Sequence, residues 1–90
     1  MKPLKELLGI IAKTDDPKEL QDFFEELFTP RELQDLGLRW QLLKELFQGE
    51  TQRAIASRHR ISLCKITRGS KILKKENSAS LKILQSRSAD

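Results

Sequence analysis

The sequence has few of the residues that build covalently or metal-stabilised domains. It contains one cysteine, Cys64, and one histidine, which excludes an internal disulfide framework and argues against a Cys/His zinc site. The longest apolar run, residues 7–12, is interrupted by Gly9 and is far shorter than the roughly 18 residues of a membrane span. The N-terminus also lacks the features of a signal peptide. From these absences we expect a soluble cytoplasmic protein without a metal centre.

Ninety residues suffice for one small domain, residues 1–90, which is marginally stable alone unless something reinforces it.

What the sequence does contain is a segregated set of charges. Residues 53–75 carry eight basic and no acidic side chains, whereas residues 15–35 are acid-rich. This segregation suggests a scaffold half and a half that faces a polyanion. The alternative is a solvated basic face that binds nothing.

The apolar spacing predicts an all-α chain of about six helices and no strand. The first helix covers residues 3–13, and the second begins at a cap, Asp15 or Asp16. The third, residues 30–48, begins with a capping box at Thr29. Its expected buried stripe consists of Leu33, Leu36, Trp40, Leu43 and Phe47, with Leu42 and Leu46 beside them.

Residues 51–74 have the spacing of a helix-turn-helix. Small Ala56 allows the second helix to pass close by, and Ser62 is expected to cap that helix. Arg60 stands where this motif usually has glycine, because that turn residue adopts positive φ, at a cost of roughly 1 kcal/mol for arginine. The alternative is an ordinary helical hairpin. The wedge between the two helices is expected to be filled by three isoleucines, Ile55, Ile61 and Ile66.

Several short strings of residues between positions 28 and 74 stand out. The most specific string is Ile66-Thr67-Arg68-Gly69-Ser70. The others are Phe28-Thr29-Pro30-Arg31-Glu32, Leu36-Gly37-Leu38-Arg39, Leu46-Phe47-Gln48-Gly49-Glu50 and Thr51-Gln52-Arg53. Together these strings resemble the trp operon repressor family.

The resemblance implies a bacterial repressor that is an intertwined all-helical homodimer. Residues 1–48 would form the helical dimerisation core, residues 51–74 the helix-turn-helix, and residues 78–90 a C-terminal helix and tail. We expect Gln52, Arg53, Lys71 and Lys74 to contact DNA phosphates. The start and exposed side of the second helix would approach base edges, with the candidates Leu63, Cys64 and Thr67. Ser62 belongs to the DNA-binding set as the cap whose helix start points towards DNA.

The resemblance also implies L-tryptophan as corepressor. Arg39 and Arg68 match the two arginines that flank the indole, and Gly69 matches the glycine that leaves room for it. Phe28 and Thr29 match the partner subunit's loop that closes the pocket, although Thr29 is also a helix cap. Without the resemblance, Arg39 would be read as a solvated helix residue.

Two departures from the family leave an alternative open. Ile72 stands where the family has a serine that holds the ligand's ammonium group, and the connection at Glu50-Thr51 is one residue shorter. The chain could therefore be a helix-turn-helix regulator that needs no ligand or another ligand. From a different class, it could be a helical interaction module whose basic half binds an acidic protein.

No catalytic residue is expected. His59 and Cys64 are five residues apart across a predicted turn, so they would not form an activated pair. We expect His59 to be a surface turn residue. Glu25 and Glu26 are adjacent and point to different sides of their helix, which gives no acid/base pair.

Overall fold

A computed structural model describes residues 1–88 of the chain. Ala89 and Asp90, the end of the predicted tail, lie outside the described residues. The described chain contains no strand and six helices, which confirms the all-α prediction. They are α1 (Lys2–Lys13), α2 (Pro17–Leu27), α3 (Pro30–Phe47), α4 (Gln52–His59), α5 (Leu63–Lys74) and α6 (Ala79–Ser88).

The chain forms two compact units, Met1–Asp35 and Leu36–Asp90, and α3 contributes to both. In the first unit, the backbone N–H of Lys18 donates to the Asp16 carboxylate at 3.1 Å, so Asp16 is the cap of α2. No residue of α1 or α2 is buried. An open cavity of about 440 Å³ lies in this unit, lined by Pro17, Leu20, Gln21, Phe24, Glu25 and Leu33.

The two ends of α3 are fixed by local hydrogen bonds. At its start, the Thr29 N–H donates to the Glu32 carboxylate at 2.8 Å, and the Glu32 N–H donates to the Thr29 hydroxyl at 3.2 Å. This pair confirms the predicted capping box. At its end, Gly49 has φ +92° and its N–H donates to Leu46, while the Glu50 N–H donates to the carbonyl of Glu45. These two bonds form a Schellman motif that terminates the helix.

The second unit has a small apolar core at the crossing of α3, α4 and α5. Ile55 and Ile66 are fully buried, and Leu42 is 4% exposed. Leu38, Leu46, Ala56 and Ile61 pack against them. The predicted isoleucine wedge and the small residue at position 56 are therefore confirmed.

The expected buried stripe of α3 is confirmed only in part. Leu42 is buried and Leu46 packs against the core, whereas the others apart from Leu36 are half-buried: Leu33, Trp40, Leu43 and Phe47. Leu36 is 39% exposed, and the buried side chains of α3 are Leu42 and Glu45. The reason is that α4 and α5 cover the side of α3 that carries Leu38, Leu42 and Glu45, which follow one another at helical spacing.

The C-terminal helix α6 is capped at its start and packs within the second unit. Asn77 adopts positive φ, and the hydroxyl of buried Ser78 accepts a hydrogen bond from the Leu81 N–H at 3.1 Å. The helix α6 extends through residue 88, so most of the predicted C-terminal helix and tail is helical. The guanidinium carbon of Arg87 lies 5.8 Å from the centre of the Trp40 ring, within range of a cation–π interaction.

Candidate functional site

A three-residue turn joins α4 to α5 and sets the angle between them. Thr51 caps α4, because its hydroxyl accepts the Ala54 N–H at 3.1 Å. Arg60 ends α4 in the left-handed conformation, with φ 55° and ψ 48°, and the Ile61 N–H donates to the Ala56 carbonyl at 3.2 Å. The positive φ expected at position 60 is confirmed, so the turn keeps its geometry without a glycine there.

Ser62 occupies the cap position of α5 but makes no capping hydrogen bond with its side chain. The predicted position of the cap is therefore confirmed, but the hydroxyl does not make the bond that a serine cap usually makes. The backbone of Ser62 is extended, with φ −72° and ψ 151°, as is usual for the residue that precedes the first turn of a helix. Nearby, the Thr67 hydroxyl lies 2.9 Å from the Leu63 carbonyl and 3.3 Å from the Gln52 side-chain oxygen. Thr67 therefore links the middle of α5 to the first residue of α4.

The structure leaves most of the predicted DNA-contacting side chains accessible. Leu63 is 48% exposed, and Cys64 beside it is exposed as well. Gln52 and Thr67 are half-buried and are the two members of the set that contact each other. The other members, all exposed, are Arg53, Ser62, Lys71 and Lys74. The exposed side of α5 is therefore free of acidic side chains and carries Arg68, Lys71 and Lys74.

The predicted ligand residues are distributed over both units. In the second unit, Arg39 and Arg68 are exposed and Gly69 is buried. In the first unit, Phe28 is half-buried, with its ring 5.3 Å from that of Phe24, and Thr29 is engaged as the cap of α3. The two arginines are thus accessible to a ligand.

Gly69 lies where α5 approaches α3 closely. A Cβ atom at this position would lie 3.0 Å from Cδ1 of Leu46 and 3.6 Å from Cδ2 of Leu43. Any larger residue would therefore crowd the core of the second unit. The close packing of α5 on α3 is therefore one reason for a glycine here, beside the expected role at a ligand.

A buried carboxylate that the sequence analysis missed lies behind α4. Glu45 is 3% exposed and accepts hydrogen bonds from Gln41 at 2.7 Å and from Nε2 of His59 at 2.8 Å. Arg58 donates to the same carboxylate and also to Glu50 in the connection between α3 and α4. His59 is not the surface turn residue that we expected, since it lies in the last turn of α4 and its side chain is only 21% exposed.

These partners control the ionisation of Glu45. Burial alone would raise the pKa of the Glu45 carboxyl, but the hydrogen bonds from Gln41 and His59 and the charges of His59 and Arg58 outweigh it. The net effect is that the pKa of Glu45 is lowered. Bonding to Glu50 is the main reason why the pKa of Arg58 is raised. The carboxylate is therefore held ionised although it is buried.

The sequence did contain a signal for this cluster. Glu45 follows Leu38 and Leu42 at helical spacing, so it lies on the face of α3 that forms the core. A carboxylate on an apolar face needs partners from a neighbouring element, and the basic pair at the end of α4 supplies them. Within the described residues, no group of acidic, histidine or cysteine side chains could hold a metal ion.

Comparisons with known proteins point to one family. The family model described as Trp repressor protein matches residues 2–88. A Trp operon repressor homolog of Chlamydia trachomatis serovar D is 38% identical over 68 residues, which cover 74% of this chain and 72% of the relative. A homolog of the same name from Xylella fastidiosa strain M23 is 35% identical over 72 residues, covering 79% and 78%. No solved structure gives a significant match.

Proposed function

Because the chain belongs to the Trp repressor family, we propose that it is a transcriptional repressor whose binding to a DNA operator is promoted by L-tryptophan. The family is regulatory and DNA-binding, not enzymatic, which confirms the expectation that the chain is not an enzyme. Among the described residues, no helix is long and apolar enough to cross a membrane. The proposed place of action is the bacterial cytoplasm.

The observation that carries the proposal is the α4–α5 pair. Fully buried Ile55 and Ile66 hold the two helices together, and the exposed side of α5 is basic. We assign this pair, residues 51–74, as the helix-turn-helix, with α5 in the major groove. Arg53, Lys71 and Lys74, together with Gln52, would contact phosphates. Leu63, Cys64 and Thr67 would approach base edges, beside Ser62 at the cap position, and the scarcity of strong donors among them favours water-mediated readout.

The functional form would be a homodimer. The first unit buries none of the side chains of α1 and α2, yet it exposes large apolar ones, among them Leu4, Leu8, Ile10 and Leu27. Burying such surfaces against a second copy would supply the stability that a chain of this size lacks. In dimeric helix-turn-helix proteins, a class that includes the Trp repressor, the two recognition helices lie about 34 Å apart and meet successive turns of a palindromic operator.

Tryptophan would act through its different affinities for two orientations of the α4–α5 pair. Arg39 and Arg68 would hold it, because guanidinium groups stack on aromatic rings and neutralise carboxylates. Gly69 would border the site, and Phe28 and Thr29 of the second chain would close it. A ligand that binds the groove-matching orientation better strengthens DNA binding, and DNA strengthens ligand binding, by the same coupling energy, typically about 1–3 kcal/mol.

The test is a titration of operator DNA with and without free L-tryptophan. The operator is first selected from a pool of random duplexes, and an unselected duplex of equal length serves as the control. We expect operator affinity to rise with tryptophan, and we expect Arg68→Ala to abolish that rise. Equal affinity in both conditions would contradict gating by tryptophan, whereas equal affinity for both duplexes would contradict specific DNA binding.

A second candidate is a regulator of the same DNA-binding type that does not need tryptophan. The observation in its favour is the contact between Gly69 and Leu46, which gives a reason for the glycine that involves no ligand. Two departures from the family also favour this candidate: Ile72 replaces the serine that would hold the ligand's ammonium group, and the connection before Thr51 is one residue shorter. Calorimetry of the protein with L-tryptophan separates the two candidates, because only the first requires heat of binding that Arg68→Ala removes.

A further inference from the structure

Glu45, Glu50, Arg58 and His59 form a polar cluster between the end of α3 and the end of α4. The carboxylate of Glu45 is the buried member, and its donors come from both helices: Gln41 from α3, and Arg58 and His59 from α4. Arg58 uses both terminal nitrogens, bonding Glu45 with one and Glu50 with both. The first turn of α4 is closed locally by the Thr51 cap, whereas its last turn is bonded to α3 and to Glu50 by this polar cluster.

The polar cluster adds a directional restraint on α4 to the packing of the apolar core. Packing around Ile55 limits the space open to the helix, whereas the hydrogen bonds of the cluster also require particular angles. Hydrogen bonds weaken steeply when their angles change, and a buried carboxylate that loses its donors is strongly destabilised. A rotation or shift of α4 would therefore leave Glu45 buried without its partners. The cluster favours one orientation of α4 over its neighbours.

We propose that Glu45 is a positioning residue that fixes the orientation of α4, and with it that of α5, through Arg58 and His59, and that operator affinity depends on it. The second half of this inference rests on the proposed function, that is, on operator binding through α4 and α5. The first half concerns the free protein and can be decided without DNA.

The polar cluster and tryptophan would act on the same equilibrium, the one between orientations of the α4–α5 pair. If the cluster raises the fraction of molecules already in the groove-matching orientation, it lowers the fold increase in affinity that a ligand can add. Weakening the cluster then lowers operator affinity most when no tryptophan is present. A general loss of stability would show the same dependence, because a ligand that binds the native state stabilises it, so the exchange experiment below is what separates the two.

The test compares Glu45→Gln with Glu76→Gln, which makes the same change of charge at an exposed position of the same unit. This control is needed because DNA binding responds to net charge. The first readout is backbone amide exchange in the free protein. We expect Glu45→Gln to speed exchange in α4, residues 52–59, at least about fivefold while exchange in α6 keeps its wild-type rate. Unchanged exchange in α4, or equal acceleration in all helices, would overturn the positioning role.

The second readout is affinity for the selected operator at fixed salt. We expect Glu45→Gln to bind at least about fivefold more weakly than Glu76→Gln without tryptophan, with a smaller difference at saturating tryptophan. Equal affinities of the two variants would overturn the link to DNA binding. If wild-type protein binds no selected duplex, the proposed function fails, and the exchange experiment still decides the positioning role.

A milder variant keeps the test decisive if Glu45→Gln does not fold. Arg58→Lys retains the charge but replaces the planar two-nitrogen fork that joins Glu45 to Glu50 with a single ammonium group. We expect faster exchange confined to α4, smaller than in Glu45→Gln. Wild-type exchange in Arg58→Lys would contradict the proposal.

Discussion

The two units of the chain differ in how far they bury their apolar side chains. The second unit has its own core, in which Ile55 and Ile66 are fully buried and even a carboxylate, Glu45, is almost inaccessible. The first unit consists of strongly amphipathic helices, yet no residue of α1 or α2 is buried. The difference indicates that stability in the second unit comes from its own packing. The first unit, in contrast, needs an additional surface to cover its apolar side chains, and we propose that this surface is a second copy of the chain.

The largest expected effect comes from truncating one apolar side chain in each unit, buried Ile66 in the second and exposed Leu8 in the first. Ile66→Ala should lower the free energy of unfolding by about 2–5 kcal/mol, because it removes buried methyl groups and leaves a cavity. Leu8→Ala changes a side chain that is 54% exposed and should cost no more than about 0.5 kcal/mol in the isolated chain.

Urea unfolding at several protein concentrations checks both values. If a second copy covers α1, the cost of Leu8→Ala should grow with protein concentration as the dimer forms. A cost of Leu8→Ala that equals that of Ile66→Ala at the lowest concentration would contradict the contrast between the units.

A smaller effect comes from adding one methyl group to a helical glycine in each unit. In α1, nothing lies within 4 Å of a Cβ at Gly9, so Gly9→Ala should stabilise by up to about 1 kcal/mol through helix propensity. In α5, a Cβ at Gly69 meets Leu46 at 3.0 Å, so crowding should outweigh the same gain and Gly69→Ala should cost about 1 kcal/mol.

Thermal unfolding of the two variants measures the difference. In a Leu46→Ala background the crowding is removed, and Gly69→Ala should then become stabilising. If Gly69→Ala stabilises the wild-type chain as much as Gly9→Ala does, the close approach of α5 to α3 is not a constraint.

The smallest effect appears only in acid. Because the pKa of Glu45 is lowered in the fold, its carboxylate contributes stability above the ordinary pKa of a glutamate. That contribution is lost as the pH falls through the lower pKa of the folded state. Glu45→Gln should therefore flatten the acid side of a plot of stability against pH, with Glu76→Gln, at an exposed position, as the charge-matched control. An unaltered acid branch in Glu45→Gln would mean that the carboxylate gains nothing from His59 and Arg58.

Local features of the fold were predictable from the sequence, and features that depend on docking were not. The caps at Thr29 and Thr51 and the stop at Gly49 follow from the chemistry of single residues, and the structure contains them. The buried face of α3 was predicted only in part because its pattern offers leucines on several sides. The docking of α4 and α5 buries Leu42, which was placed at the side of the stripe, and Glu45, which was not named.

Much of the candidate site could likewise be named from the sequence, but not its supporting contacts. The α4–α5 turn, including the left-handed Arg60, was predictable because the spacing of caps and isoleucines is specific. The bond between Gln52 and Thr67 and the burial of His59 were not, because each depends on which face of α4 meets another helix. The ligand and DNA roles of individual residues stay predictions.

The most direct test of a dimeric, DNA-binding account is the mass of the protein on its operator. Sedimentation equilibrium with a labelled palindromic duplex and L-tryptophan should give a complex of one duplex and two chains, each of 10.4 kDa. The free protein should sediment with the mass of a dimer. A single chain of 10.4 kDa that stays free in the presence of the duplex would contradict the account.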